Sequence, residues 1–260
     1  MTTAINRVPL PLVDLDAFIF DMDGVVTDTA GVHARCWKRV FDDVLRARSN
    51  DTGEDLRLFD EEDYLRYVDG KPRYDGVESF LSSRGIILDR GLPSDQSGHD
   101  SVCALGNLKD HEFERVITDE GVTLFESTID FIRSLRSHGI RTALISSSRH
   151  ARAMLEAAGI TSIFDAIVDG VVAEALGLPG KPEPAIFLAA AHQLAVDPSR
   201  SVVVEDALAG VEAGRRGGFR MVIGIDRSSQ AAALRDHGAD VVVRDLSDLE
   251  LQPAPPGEAP

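Results

Sequence analysis

Short apolar runs rich in β-branched residues recur along this chain with helical segments between them, and this rhythm limits the fold more than any other feature. From about Thr118 onward, "IRTALIS" (Ile140 to Ser146), "FDAIVD" (Phe164 to Asp169), "SVVVED" (Ser201 to Asp206), "MVIGID" (Met221 to Asp226) and "DVVVRD" (Asp240 to Asp245) read as strands. Between them, Ala151, Met154, Leu155 and Ala158 fall at helical spacing before Gly159, and Pro184 to Val196 reads as a further helix. Continuous apolar strands alternating with helices describe a parallel sheet covered on both faces. Ligands of such sheets bind beyond the carboxyl ends of the strands.

An earlier strand ends abruptly. In "AFIFDMDGVVTDTA" the apolar run Ala17 to Phe20 stops at two aspartates, Asp21 and Asp23. From about Val32 the character then changes. Trp37, Val40, Phe41, Val44 and Leu45 form one helical stripe, "YDGVESFLSSRG" and "LKDHEFERVI" also read as helices, and no strong strand intervenes. The pattern predicts a discontinuous core of residues 1–31 and 118–250 interrupted by a helical domain at 32–117. The acidic "NDTGEDLRLFDEED" (Asn50 to Asp63) and "RGLPSDQSGHD" read as solvated loops, and residues 251–260 as a disordered tail too poor in apolar side chains to pack.

Charge narrows the partners. Among 260 residues, 27 Lys and Arg stand against 43 Asp and Glu, a formal charge of −16 that repels nucleic acid and anionic membranes. A small anion is still compatible, because local cations or a metal dominate within a screening length of about 8 Å. Cys36 and Cys103 are too few and too far apart for a disulfide framework or thiolate metal site and are expected to be unpaired thiols. The N-terminal "MTTAINRVPLPLVD" has no apolar leader segment, and no run approaches the roughly 18 apolar residues of a membrane span. The expectation is a cytoplasmic monomer.

Every sharp polar signal of the core falls at the carboxyl end of a predicted strand. Asp21 and Asp23 follow one, Ser146 another, Glu205 and Asp206 a third, and Lys181 lies in "GKPEPAIF" just before a helix. Singly, each has a structural explanation: aspartate and serine cap helices, an acidic pair suits a helix start, and a loop lysine is commonplace. Convergence on one crevice favours a site. Several carboxylates at one sheet edge repel unless a hard cation such as Mg²⁺ sits between them. Beside that cation a carboxylate can attack phosphorus, a serine and helix-start N–H groups can hold the transferring phosphoryl group, and a lysine can balance its charge. Asp21 is then the nucleophile, and Asp23, two residues on, the acid/base.

"FDMDGVVTDT", the serine of "TALISSS", "GKPEP" and "VVVEDALAGVEAG", in this order, resemble the haloacid dehalogenase superfamily of phosphotransferases. Within it, "DGVVTDTAGVHARCWKRV", "YVDGKPRYDGV", "LGNLKD" and "SSSRHARAMLEAAGI" resemble the β-phosphoglucomutase family along about residues 15–226. The resemblance implies a Rossmann-like core with a helical cap and a Mg²⁺-dependent interconversion of β-glucose 1-phosphate and glucose 6-phosphate through β-glucose 1,6-bisphosphate. It implies Mg²⁺ ligation by the side chains of Asp21, Glu205 and Asp206 and by the backbone carbonyl of Asp23. Ser146, Ser147, Ser148, Arg149 and Lys181 would surround the reacting phosphate. In the cap, His33, Trp37, Arg73 and Lys109 match positions that contact the sugar or its distal phosphate. Without the resemblance, Arg73 would pass for a surface ion pair, His33 for an exposed helical residue and Trp37 for core packing. Arg149 departs from the lysine common in the family, which keeps the charge but changes its geometry.

A phosphatase, letting water attack an aspartyl phosphate, needs the same core residues; the cap separates it from a mutase, which must retain and reorient a phosphorylated sugar away from water. The paired cap cations Arg73 and Lys109 favour the mutase. Dehalogenation would need neither Asp23 nor Glu205-Asp206, and an inactive sugar-phosphate sensor would not need the full nucleophile, base, lysine and acidic set.

Overall fold

The computed structural model describes residues 7–253. The chain divides into two compact units: one holds the residues up to Thr27 and from Leu124 onward, the other is Asp28–Thr123. The crossings thus fall at 27/28 and 123/124, against the 31/32 and 117/118 read from the pattern. The second crossing lies later because α4 runs on to Glu120 and ends at Gly121, whose φ is 79°.

The first unit is built on a six-stranded parallel sheet. Its strands are β2 (Ala17–Asp21), β3 (Arg141–Ile145), β4 (Ala166–Val168), β5 (Ser201–Glu205), β6 (Met221–Ile225) and β7 (Val241–Val243), in the order β4-β3-β2-β5-β6-β7. Every residue of β2 and β5 is buried, which is why these strands read as unbroken apolar runs and not as alternating ones. Ile19, Ile145 and Val203 contribute to one apolar core with Phe187 and Leu194. Phe18 packs edge-on against Phe131 at 6.0 Å. Strand order reverses direction between β2 and β5, and such a switch point opens a crevice at the carboxyl end of the sheet.

A separate two-stranded parallel sheet pairs β1 (Val8–Pro11) with β8 (Leu249–Gln252). The expectation of a disordered tail from residue 251 fails at its start: Leu251 and Gln252 are tied into a strand opposite Leu10 and Pro11, and the rest of that expectation, residues 254–260, lies outside the described ones. The tail's polar composition concealed this, because Leu249 and Leu10 supply the buried side chains of the pair.

The second unit is helical: α1 (Ala30–Thr52), α2 (Glu61–Asp63), α3 (Arg73–Ser83) and α4 (Val102–Glu120). Its core is aromatic, with Phe41 stacked on Trp37 at 5.0 Å and against Phe80 at 4.3 Å. The stretch expected to be a solvated loop is not one throughout. Phe59 is buried against Phe41 and Phe80, and the buried Asp63 carboxylate accepts from Arg57 (2.9 Å) and Arg84 (2.5 Å). One aromatic residue and a matched pair of arginines overrule the local acidic composition. Ser101 caps α4 by accepting from the Ala104 N–H (3.0 Å). Cys36 and Cys103 are buried free thiols.

The remaining helices belong to the first unit: α5 (Glu126–Ser137), α6 (Ala151–Ala157), α7 (Gly170–Ala175), α8 (Ala185–Leu194), α9 (Leu208–Arg216) and α10 (Ala231–Asp236). Among the described residues no helix is long and apolar enough to cross a membrane.

Candidate active site

Asp21 is the last residue of β2, and Glu205 the last of β5, its neighbour across the switch point. The two strands run in register, Phe20 beside Val204, so both carboxylates emerge at the same level of the sheet edge. Asp206 follows immediately. Carboxylate oxygens of Asp21, Glu205 and Asp206 lie within 4.8 Å of one another, and all three residues are buried. Lys181 reaches them from the loop before α8; its ammonium donates to Asp21 Oδ1 (2.7 Å) and to Glu205 Oε1. Only 4% of Lys181 is exposed, so this charge is committed to the cluster. The peptide bond from Lys181 to Pro182 is cis.

Two glycines make room for the acids. A Cβ on Gly24, whose φ is 81°, would overlap the Asp206 carboxylate, and a Cβ on Gly210 would overlap that of Glu205. Glu205 is further fixed by accepting from the Ala207 N–H (2.9 Å). The loop after β2 folds tightly on itself: the Val26 and Thr27 N–H groups both donate to the Met22 carbonyl (2.8 and 2.9 Å), and the Gly24 N–H donates to Thr27 O (2.8 Å). Asp23 stands half-buried in this turn.

Electrostatics set the cluster apart. Burial pushes the Asp21 carboxyl well above the usual range, and the neighbouring Glu205 adds to the rise while Lys181 opposes it. Burial also works against the Lys181 ammonium, but Asp21 and Glu205 reverse the sign and hold it above the ordinary lysine range. The lysine is therefore the fixed cation. Three carboxylates around one ammonium carry a net charge of about −2 when ionised, and oxygen-only donors at this spacing fit a hard divalent cation. The acidic cluster and the glycine-lined space around it thus match the donor chemistry of such an ion.

Ser146 follows β3 directly and is fully buried; its Oγ accepts from the Ser148 N–H (3.0 Å), and its own N–H donates to Val168 O (3.1 Å). Ser147 and Ser148 are half-buried in the same loop, whose backbone is pressed against Gly170, where a Cβ would come within 2.7 Å of the Ser147 carbonyl. Arg149 differs from the three serines. It is exposed, and its guanidinium pairs with Glu174 (3.1 Å).

Within the helical unit, His33, Trp37 and Lys109 meet. Lys109 Nζ lies 2.6 Å from His33 Nδ1, 4.5 Å from the Phe113 ring centroid and 5.4 Å from that of Trp37. His33 stacks on Phe113 at 4.0 Å. The sequence did not single out Phe113, which reads as an ordinary apolar position of α4. Arg73, at the start of α3, is held apart from this group by its own partners: Asp110 (2.6 Å) and Asn107 Oδ1 (3.3 Å), with Tyr74 donating to the same Asn107 oxygen (2.9 Å). Asn107 and Asp110 sit at i and i+3 on α4, a spacing legible in "GNLKD" only once Arg73 is known to face it.

This fold, with an acidic cluster and a lysine at the switch point, defines a class. The chain belongs to the haloacid dehalogenase-like hydrolase family, whose model matches residues 15–218. Within it the chain is an enzyme of the β-phosphoglucomutase family: it is 44% identical over 237 residues to the β-phosphoglucomutase of Mycobacterium tuberculosis, covering 90% of each chain. It is also 28% identical over 234 residues to a phosphorylated carbohydrates phosphatase of Thermotoga maritima, with 88% of this chain and 94% of that one covered. The crystal structure of a β-phosphoglucomutase from Clostridium difficile shares the fold, with a TM-score of 0.69 at 24% identity over 91% of this chain and 93% of that chain.

Proposed function

We propose that this chain is a β-phosphoglucomutase, interconverting β-glucose 1-phosphate and glucose 6-phosphate through an aspartyl phosphate on Asp21 and β-glucose 1,6-bisphosphate. The observation that carries the phosphoryl-transfer chemistry is the buried meeting of Asp21, Lys181, Glu205 and Asp206 at the switch point of the sheet, and the cap cations Arg73 and Lys109 favour the mutase over the phosphatase. In this reading an Asp21 oxygen attacks the phosphorus of the bisphosphate and the bond from phosphorus to the sugar oxygen breaks. Asp23 gives its proton to that leaving oxygen. In the return half-reaction Asp23 takes the proton of the attacking sugar hydroxyl, and the phosphoryl group leaves Asp21.

Lys181, lodged between Asp21 and Glu205, orients the nucleophile and keeps a positive charge beside the transferring group. Ser146, with the N–H groups of the loop that follows it, is assigned the phosphoryl oxygens. Mg²⁺ held by Asp21, Glu205, Asp206 and the Asp23 carbonyl would neutralise phosphate oxygens and oppose the rise that burial imposes on the Asp21 carboxyl. His33, Trp37 and Lys109 are assigned to the sugar. Arg73 is assigned to the distal phosphate, for which its bond to Asp110 keeps the guanidinium fork in a fixed plane.

A hydrolytic reading uses the same core with water as acceptor, and the phosphatase relative supports it. Product analysis separates the two. With β-glucose 1-phosphate, Mg²⁺ and a trace of bisphosphate primer, the mutase forms glucose 6-phosphate in excess over inorganic phosphate; the reverse ratio establishes the phosphatase. Arg73→Ala sharpens the answer. It should impair isomerisation and raise the ratio of hydrolysis to isomerisation, yet spare transfer from acetyl phosphate, which has no distal phosphate.

A further inference from the structure

Arg227 lies two residues beyond β6, outside every motif that marks the site, yet its guanidinium is spent on the loop that carries Asp23. Its Nε–H donates to the Gly24 carbonyl (2.8 Å), and its Nη1–H donates to the Arg244 carbonyl (3.1 Å). Its central carbon lies 3.7 Å from the centroid of the Phe125 ring. These contacts fall on three segments. Gly24 directly follows Asp23, Arg244 directly follows β7, and Phe125 directly precedes α5.

Gly24 is also closely packed within that loop. Its φ of 81° and the approach of the Asp206 carboxylate leave no room for a side chain, so the backbone there is packed from the metal-ligand side. Arg227 holds the same residue through its carbonyl. The loop is closed on the remaining side by the Thr128 Oγ–H, which donates to Val25 O (2.7 Å), and by the Phe125 N–H, which donates to Val26 O (3.0 Å). Phe125 thus touches both the loop, through its N–H, and Arg227, through its ring.

We propose that Arg227 is a positioning residue for Asp23: by fixing the Gly24 carbonyl against a frame made by Phe125 and Arg244, it fixes the aim of the Asp23 carboxyl at the sugar oxygen. The inference rests on the reading of Asp23 as the acid/base. An arginine suits the task because one planar group donates along two edges and stacks through its face at once; a lysine ammonium has no such plane. At saturating Mg²⁺, which offsets any slackening of the Asp23 carbonyl toward the metal, the effect falls on the proton more than on the phosphoryl group, since Asp21, Lys181 and Glu205 are held by β2, the α8 loop and β5 independently of Arg227.

The test is the dependence on leaving group in Arg227→Lys and Arg227→Met. A sugar alkoxide needs the proton of Asp23 to leave, whereas acetate leaves acetyl phosphate without one. Phosphorylation of Asp21 by acetyl phosphate should stay near the wild-type rate, while kcat for sugar-phosphate turnover falls about 10- to 100-fold with KM little changed, Met being worse than Lys. In an Asp23→Asn background the Arg227 variants should add no further loss with the sugar phosphate. Equal losses with both donors, at whatever thermal stability, would reduce Arg227 to a structural residue and overturn the proposal. Unchanged kcat in both variants would overturn it as well. If Asp23→Asn alone shows no preference between donors, the acid/base reading fails; if it does and the Arg227 variants do not, only this inference fails.

Discussion

At the amino end of the six-stranded sheet, Asp16, Asp165 and Asp240 each stand one residue before a strand; at the carboxyl end, Asp21 and Glu205 close two strands and Asp206 follows. The first group is satisfied by the protein itself. Asp16 accepts from Arg200 Nε (2.7 Å) and Nη2 (3.0 Å), Asp165 from the Thr142 N–H (2.9 Å) and Arg136 (2.8 Å), and Asp240 from the Val222 N–H (2.8 Å). Hydrogen bonding and the charge of Arg200 hold the Asp16 carboxyl below the usual range. Burial would raise Asp165, but the Thr142 N–H and Arg136 outweigh it. At the other end the balance is inverted: burial wins at Asp21, which shares Lys181 with Glu205 while Asp206 stands close beside them. Equal side chains on equal strands are thus settled struts at one edge and a strained acidic cluster at the other, because burial at the carboxyl edge is deeper than the charge pairing that accompanies it.

Asp21→Asn tests that contrast most severely. It should lower turnover roughly 10⁴-fold or more and abolish phosphoenzyme formation, with the fold retained, because the amide nearly copies the carboxylate's shape. Labelled phosphoenzyme trapped on the variant would remove Asp21 from the role of nucleophile. Asp23→Asn should slow sugar-phosphate turnover by about 10²- to 10⁴-fold. Its Mg²⁺ affinity, measured by titration, should change far less, since the proposed ligand is a backbone carbonyl. Large loss of metal with normal rate at saturation would reverse that division.

Lys181→Met removes the cation that Asp21 and Glu205 share and leaves these two buried carboxylates facing each other. Thermal unfolding in chelator should show a loss of about 3–5 kcal/mol. Millimolar Mg²⁺ should restore more stability to the variant than it adds to wild type, since a cation bound only by the folded state stabilises it by mass action. Equal metal effects on both proteins would mean that the acids do not share an ion.

The amino end should yield the smallest effect. The Asp16 carboxyl is depressed in the folded state, so its contribution is whole above the ordinary carboxylate pKa of about 4 and is lost as pH falls below it. With Arg200 partly exposed, Asp16→Asn should cost under about 1 kcal/mol at neutral pH and flatten the acid limb of the stability curve, leaving activity unchanged. A catalytic defect in this variant would break the division between the two edges.

The segments "LDAFIFD", "FDAIVD" and "ADVVVRD" show how far the sequence reaches. Each is an apolar strand between two aspartates, and periodicity alone located the strands, the parallel sheet and the edge to search. It also located the helical unit, through stripes that bury Trp37, Phe41 and Leu45. What the pattern did not rank was the aspartates themselves. Asp169 caps α7 by accepting from the Val171 and Val172 N–H groups, and Asp245 caps the turn at Leu246, while Asp21 meets a lysine 160 residues away. The arrangement of motifs and their resemblance to a known family supplied that ranking.

Local chemistry determined what could be read locally: strand and helix periods and the acidic residues available at one sheet edge. Only the tertiary structure decided which charges would be dry and what would surround them. Arg227 meets Gly24 across the sheet, Arg73 meets Asp110 across two helices, Asp63 meets Arg84, and β8 meets β1 from the far end of the chain. A charge's energy depends on the dielectric and the partners that the fold places around it, and neither quantity is carried by the residue's neighbours along the chain.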